Sequence, residues 1–324
     1  MKKIFALLVA LLTACTGMLF YACSPKPTIG IMQFGSHPSL NATYQGILLG
    51  LEEGGVNLDA YNIDFHDGNF DPSVGGTQAR SLVDKGSKLI IAIATPSAAA
   101  ALSAADGSGI PVVYSAVSDP ESAGFTQYEN ATGVSDVMDI ENQLLMIKQF
   151  LPSAQKLGVL YSTTEANSLS QIEQLKTLAA RPDIGLEIVE QAITNANELP
   201  AASDTLLAQQ LDAITMLTDN TVVNYLAQLL AKIDDLQLGL PVFGSEITQV
   251  EAGALASRSL DYTALGKNTG LLAAQILLGQ KSAPELEFLK VRDSFPCYSS
   301  EVLAKLGLTL PLELEDMFDV SAQD

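Results

Sequence analysis

Short apolar runs alternate along most of the chain with longer stretches whose apolar residues recur at helical spacing. The short runs predict strands at Thr28–Phe34, Tyr61–Phe65, Leu89–Ala94, Pro111–Ala116, Leu157–Tyr161, Leu186–Val189, Ala213–Leu217 and Leu240–Phe243. The longer stretches predict helices with physically sensible ends. Leu40–Glu53 stops at Gly54-Gly55, Thr95-Pro96 supplies a cap and a proline ahead of Ser97–Ala105, and Ile140–Phe150 stops before Pro152. Asn167 caps Ser168–Ala180, and Asp261 caps Tyr262–Leu278, which ends at Gly279. Strand and helix following one another in this way predict an α/β fold with parallel sheets flanked by helices on both faces.

No stretch reads as a long linker, so a division into lobes is sought where the chain crosses between units. The candidate crossings are Thr132-Gly133-Val134-Ser135-Asp136, the region of Gly244-Ser245-Glu246, and Pro284–Asp293. They predict an N-terminal lobe of residues 28–133 and 246–282 and a C-terminal lobe of residues 134–245 and 283–324. With 48% hydrophobic residues, the chain has ample material for two cores.

The N-terminus lies outside this pattern. Met1-Lys2-Lys3 precedes an uncharged, mostly apolar segment, Ile4–Ala22, with the positive start and apolar centre of an export signal. Residues 1–22 are therefore expected to be a signal peptide and 23–27, with Ser24-Pro25-Lys26-Pro27, a tether. Leu19-Phe20-Tyr21-Ala22-Cys23 resembles a bacterial lipobox, which makes Cys23 the expected lipidation site. Leu12-Thr13-Ala14-Cys15 is the second candidate, and an uncleaved helical anchor the third. On each reading the folded part is extracytoplasmic and held at a membrane. With Cys23 lipidated only Cys297 remains, so no intramolecular disulfide is expected. A net charge of −20 repels phosphate backbones and argues against nucleic-acid partners, while leaving room for a cationic or zwitterionic ligand.

Nearly every predicted strand ends in a polar cluster at its carboxyl end, the edge where open parallel sheets bind ligands. The clusters contain Gln33, Phe34 and His37; Thr95 and Ser97; Ser118 and Asp119; Asn167 and Ser168; Asp219 and Asn220; and Ser245 and Glu246. Three clusters come from each half, as a cleft between facing lobes requires. Thr95-Pro96-Ser97 opens a helix, and its hydroxyls and free backbone N–H groups suit a carboxylate at the positive end of the dipole. Asp219 and Glu246 suit an ammonium. Phe34 and Tyr161 offer rings to an apolar ligand, although an aromatic at a strand end is more often core.

Catalytic patterns are missing. The chain has two histidines, no Gly-x-Ser-x-Gly elbow, no Walker pattern and no dinucleotide fingerprint, and Cys297 has no neighbour in sequence that would activate it. The loop His66-Asp67-Gly68-Asn69-Phe70-Asp71 departs from a calcium loop at Pro72 and reads as a surface turn. Neither a cofactor nor a metal is expected.

Taken together, Ile29-Gly30-Ile31-Met32-Gln33, His37-Pro38-Ser39-Leu40, Ile91–Ser97, Ala116–Pro120, Thr132–Asp136, Glu165–Ser168, Thr218–Val222 and Pro241–Glu246 resemble the substrate-binding proteins of the tryptophan/aromatic amino-acid branch of ABC importers. The resemblance implies a type I periplasmic-binding-protein fold: two Rossmann-like lobes joined by three hinge crossings, with a small ligand in the cleft. It further implies a monomer that closes around an amino acid and delivers it to ABC permease subunits without catalysing a reaction. Thr95 and Ser97 match the carboxylate-binding role, and Asp219 is the first choice for the ammonium. The segment Phe34-Gly35-Ser36 and the stretch from Leu286 onward depart from the pattern. A receptor feeding a sensor kinase, and an extracytoplasmic enzyme on the same scaffold, are the alternatives.

Overall fold

The computed structural model describes residues 25–323. The expected signal peptide, Cys15 and Cys23 lie outside these residues. The chain builds one sheet from β1 (Thr28–Gln33), β2 (Asn62–Asp67), β3 (Leu89–Ile93), β4 (Val112–Ser115) and β5 (Ala131–Asp136). These strands alternate with α1 (Pro38–Glu53), α2 (Pro72–Asp84) and α3 (Thr95–Ala105). It then passes through α4 (Ile140–Phe150) into a second series: β6 (Lys156–Ser162), α5 (Ala166–Ala179), β7 (Glu187–Ile193), α6 (Leu199–Leu207), β8 (Ala213–Thr215), α7 (Asn220–Val223), α8 (Leu226–Asp235), β9 (Val242–Gly244), α9 (Ile247–Glu251) and β10 (Ala256–Ser259). The chain returns with α10 (Tyr262–Leu277) and β11 (Leu289–Val291), and finishes with β12 (Phe295–Tyr298), α11 (Ser300–Lys305) and β13 (Phe318–Asp319).

The first sheet has the order β11-β5-β4-β3-β1-β2 and is parallel throughout. The second has the order β13-β12-β10-β9-β8-β6-β7 and is parallel except where β12 runs against β10. Strands buried on both faces read as continuous apolar runs, and β3 (Leu-Ile-Ile-Ala-Ile) is buried at every position. Its residues alternate between two cores: Ile91 and Ile93 join α1 and α10 on one face, and Ile90 and Ala92 join α2 and α3 on the other.

The helices α1 and α10 approach until their backbones touch. A Cβ added at Gly46 would stand 2.1 Å from the Thr263 carbonyl oxygen, and one at Gly266 would stand 2.1 Å from that of Thr43. Gly50 and Gly270 meet the facing helix in the same way.

Two expected crossings are corrected. Thr132–Asp136 is not a connection but most of β5, whose polar sequence hides a strand; Gly133 is required there because a Cβ would collide with Tyr114. The first passage follows at Val137–Asp139. Gly244–Glu246 is the turn from the end of β9 into α9, and the chain stays in the second sheet through β10 before crossing at Leu260-Asp261. The short Ala-Ser-Arg-Ser of β10 carries no apolar run to announce it. Residues 246–259 therefore belong with the second sheet, and β11 with the first. The third passage is Arg292–Ser294. The crossings are tied together: Val137 N–H donates to Val291 O at 3.0 Å, and Arg258 reaches Ser294 at 3.0 Å and Asp139 at 3.4 Å.

Candidate functional site

The carboxyl ends of both sheets face each other, and polar tips from the two halves meet. His37 Nε2 lies 3.3 Å from Asn220 Oδ1, and the Ser118 and Thr218 hydroxyls are 3.1 Å apart. The Ser170 hydroxyl donates to Asp119 at 2.5 Å, and the Ser39 hydroxyl donates to the Glu246 carboxylate. His37, Ser39, Asn220 and Glu246 are all buried at this junction.

On the first lobe, α3 begins without a side-chain cap, with Pro96 in its first turn. Thr95 and Ser97 are buried, yet neither hydroxyl is committed to a hydrogen bond among the described residues. The first-turn N–H groups have no partner within the helix. The residue before them, Ala94, is held at φ 76° and ψ 154°, a region that side chains avoid. Ala116, at the neighbouring tip, also has φ 53°. Such conformations cost roughly 1–3 kcal/mol each and collect at functional sites. Beside this wall, Phe34 meets Phe70 edge-on at 5.8 Å, and His37 stacks on Phe70 at 6.4 Å.

On the second lobe, two buried carboxylates organise the tips. Glu165 accepts from the Asn220 and Thr221 backbone N–H groups, from Asn220 Nδ2 at 2.7 Å and from the Thr221 hydroxyl at 2.7 Å. Asp219 accepts from Ser162 N–H at 2.5 Å, the Ser168 hydroxyl at 2.7 Å and Val222 N–H at 2.9 Å. Burial, and then the neighbouring Glu165, push the Asp219 carboxyl up to about 8.

A third carboxylate group sits at the crossings. Asp136, at the end of β5, accepts from the Ser118 and Tyr262 hydroxyls, each at 3.1 Å, and burial pushes its carboxyl up to about 7, with Glu246 adding to the effect. Burial, Glu246 and Asp136 raise the Tyr262 phenol well above its ordinary range. No lysine or arginine pairs with Asp136, Asp219 or Glu246 among the described residues.

Gln33, Phe34, His37, Thr95, Ser97, Ser118, Asn167, Asn220 and Glu246 thus gather at the junction, while five expected site residues have other work. Asp219 and Ser168 bond each other, and Asp219 caps α7, so its oxygens are already occupied. The Ser245 hydroxyl donates to Leu217 O at 3.1 Å and accepts from Gln249, knitting β8 to β9. Asp119 forms the clasp to Ser170. Tyr161 packs against the second lobe's core on the face of β6 it shares with Leu157 and Val159, with Glu190, Lys176 and Glu173 as its charged neighbours. Sequence reasoning missed Ser39, Phe70, Asp136 and Tyr262, and did not single out Glu165 or Thr218 within the strand-end clusters that contain them. Several stood in quoted segments, but only the lobe crossing brings them together. Cys297 is buried beside Ser257, and burial pushes its thiol up to about 11.

A sequence model of one protein family, ABC transporter substrate binding protein, matches residues 28–316. A tyrosine-binding protein of Clostridioides difficile (strain R20291) is 34% identical over 261 residues, covering 79% of this chain and 74% of its own. A Streptococcus pneumoniae ABC domain solved in complex with L-Trp is 32% identical, with TM-score 0.83 over 90% of this chain and 97% of the other. A Clostridium difficile substrate binding protein solved ligand-free and open is 33% identical and covers 91% and 99%, yet its TM-score is 0.66. At nearly the same identity the chain superimposes better on the liganded relative, in keeping with its interlobe hydrogen bonds.

Proposed function

Because the chain belongs to the family of ABC transporter substrate binding proteins, we propose that it captures an aromatic amino acid at the lobe junction and hands it to a permease. The observation that carries the ligand class is the pairing of two unlike surfaces: uncommitted hydroxyls at the start of α3, and uncompensated carboxylates around Tyr262. Thr95 and Ser97, with the first N–H groups of α3, hold the ligand carboxylate. Glu246, supported by Asp136, takes the ammonium in place of Asp219. Phe34, Phe70 and His37 offer the aromatic surface, and the related proteins bind L-Trp and tyrosine by name.

Closure follows from differential affinity: a ligand touching both walls stabilises the shut arrangement that already brings His37 to Asn220. Turnover of the ligand plays no part. No helix among the described residues is long and apolar enough to cross a membrane. Attachment outside the cytoplasm is assigned to lipidated Cys23, so Cys23→Ala should release the protein from membranes; retention would transfer the role to Cys15 or to an uncleaved N-terminal helix.

Calorimetry of the mature protein against the common amino acids tests the ligand assignment. The aromatic members should bind, and Thr95→Val combined with Ser97→Ala should weaken binding by about 100-fold, the loss of two hydrogen bonds to a charged group. Unchanged affinity in that variant removes α3 from the site.

A further inference from the structure

At the junction the donors are spent and the acceptors are left over. Gln33 Nε2 donates to Gly35 O at 2.7 Å and Asn41 Oδ1 at 2.9 Å, which fixes Oε1 as a bare acceptor. Asn167 Nδ2 donates to Thr218 O at 2.8 Å, which fixes its Oδ1 likewise. The His37 tautomer follows by the same logic. Asn220 Nδ2 is committed to Glu165, so Asn220 presents Oδ1 to His37, and His37 Nε2 must carry the hydrogen. In the neutral imidazole Nδ1 is then an acceptor.

Gln33 Oε1, His37 Nδ1 and Asn167 Oδ1 are all buried without a partner, on residues 1%, 6% and 2% exposed. A chain of contacts links them. Gln33 bonds Asn41 in the turn that His37 opens, His37 reaches Asn220, and Asn220 shares Glu165 Oε2 with Asn167. Buried acceptors are costly to leave unmet, and a guest bearing an O–H or N–H can satisfy one of them. Phe70, which stacks on His37 and meets Phe34 edge-on, gives the patch an aromatic neighbour suited to a ring on the guest.

Building on the proposed function, we propose that Gln33, His37 and Asn167 form an acceptor-only patch that reads a hydrogen-bond donor on the ligand's ring, selecting phenol- or indole-bearing amino acids over phenylalanine. A site built to bond an O–H or N–H rejects an analogue lacking it far more strongly than a greasy pocket rejects a missing methylene. The ligand's ammonium is assigned to Glu246, a charged acceptor that holds an ammonium more strongly than neutral amide and imidazole acceptors do.

The test is calorimetry of the mature protein with L-tyrosine, L-tryptophan and L-phenylalanine. L-phenylalanine should bind about 100-fold or more weakly than the better of the other two. His37→Phe keeps a ring against Phe70 while deleting the acceptor, and it should bring the ratio to within about tenfold. Gln33→Met tests the same point without touching the junction with Asn220. Equal affinity of the wild-type protein for all three, or variants that weaken all three alike, would overturn the inference while leaving the aromatic amino-acid assignment standing. Binding of none of the three would overturn that assignment too, and the patch with it.

Discussion

Replacing Asp219 by alanine separates a ligand-binding role from a structural one. Its carboxyl is fully buried and receives Ser162 N–H, Val222 N–H and the Ser168 hydroxyl. The hydroxyl can turn to another acceptor, but the two backbone donors cannot. Leaving each unpaired costs about 1–3 kcal/mol, so Asp219→Ala should destabilise the fold by about 4 kcal/mol in all. That is a large share of an ordinary folding free energy of about 5–15 kcal/mol. At about 2–4 °C per kcal/mol, the midpoint should fall by about 10 °C. Asp219→Asn retains one acceptor oxygen and should lose roughly half as much. Differential scanning calorimetry gives the stability, and titration calorimetry below the transition gives the affinity of the surviving folded protein. Affinity should fall less than about tenfold in Asp219→Asn, since Asn220 stays held by Glu165 and only the cap of its helix has changed. An unshifted midpoint with binding abolished would falsify the structural reading and restore Asp219 as the ammonium partner.

Acidity should matter through Asp136. Its folded pKa of about 7 lies above the ordinary unfolded value, so folding takes up a proton. Its contribution is complete below about pH 4 and is lost at about 1.4 kcal/mol per pH unit as pH rises towards 7. Asp136→Asn should flatten the dependence of midpoint on pH over that window; an unaltered slope assigns it to other groups. The Asp119 clasp predicts that Ser170→Ala weakens ligand affinity by about tenfold, by shifting the protein towards the open state. Small-angle scattering should then show a larger unliganded radius of gyration, and an unchanged radius excludes the clasp. Gly266→Val should prevent the α1–α10 approach and lower stability by about 3 kcal/mol or more, read as a reduced urea midpoint.

What the sequence disclosed depended on how locally each feature was written. The strands β1, β3, β4 and β6 are apolar runs flanked by polar tips, and they lie within a residue or so of where the pattern put them. Strands β5 and β10, with Gly, Ser, Thr, Arg and Asp in them, owe their state to neighbours already in place, and so the crossings beside them were misjudged. The site's elements divide in the same way. The opening of α3 at Thr95-Pro96-Ser97 was legible because proline marks a helix start. The role of Asp219 was not, because a capping aspartate and an ammonium-binding aspartate are spelled alike. Only the three donors around it decide. Phe70 was hidden in a loop that reads as a turn, since its partners Phe34 and His37 come from another strand.

The glycine contact between α1 and α10 has a mechanical consequence. Both helices start at the junction, one with His37 and Ser39 and the other with Tyr262, and backbone touching backbone leaves no slack for either to slide. The first lobe is therefore an anvil, its three contact residues fixed in mutual position before any guest arrives. Accommodation of guests of different size falls to the opposite jaw, whose contacts come from loops and the short α7 and α9 and not from a locked pair of long helices. Evolution of a new preference on this scaffold should accordingly be found in exchanged side chains on the anvil and in remodelled loops on the jaw.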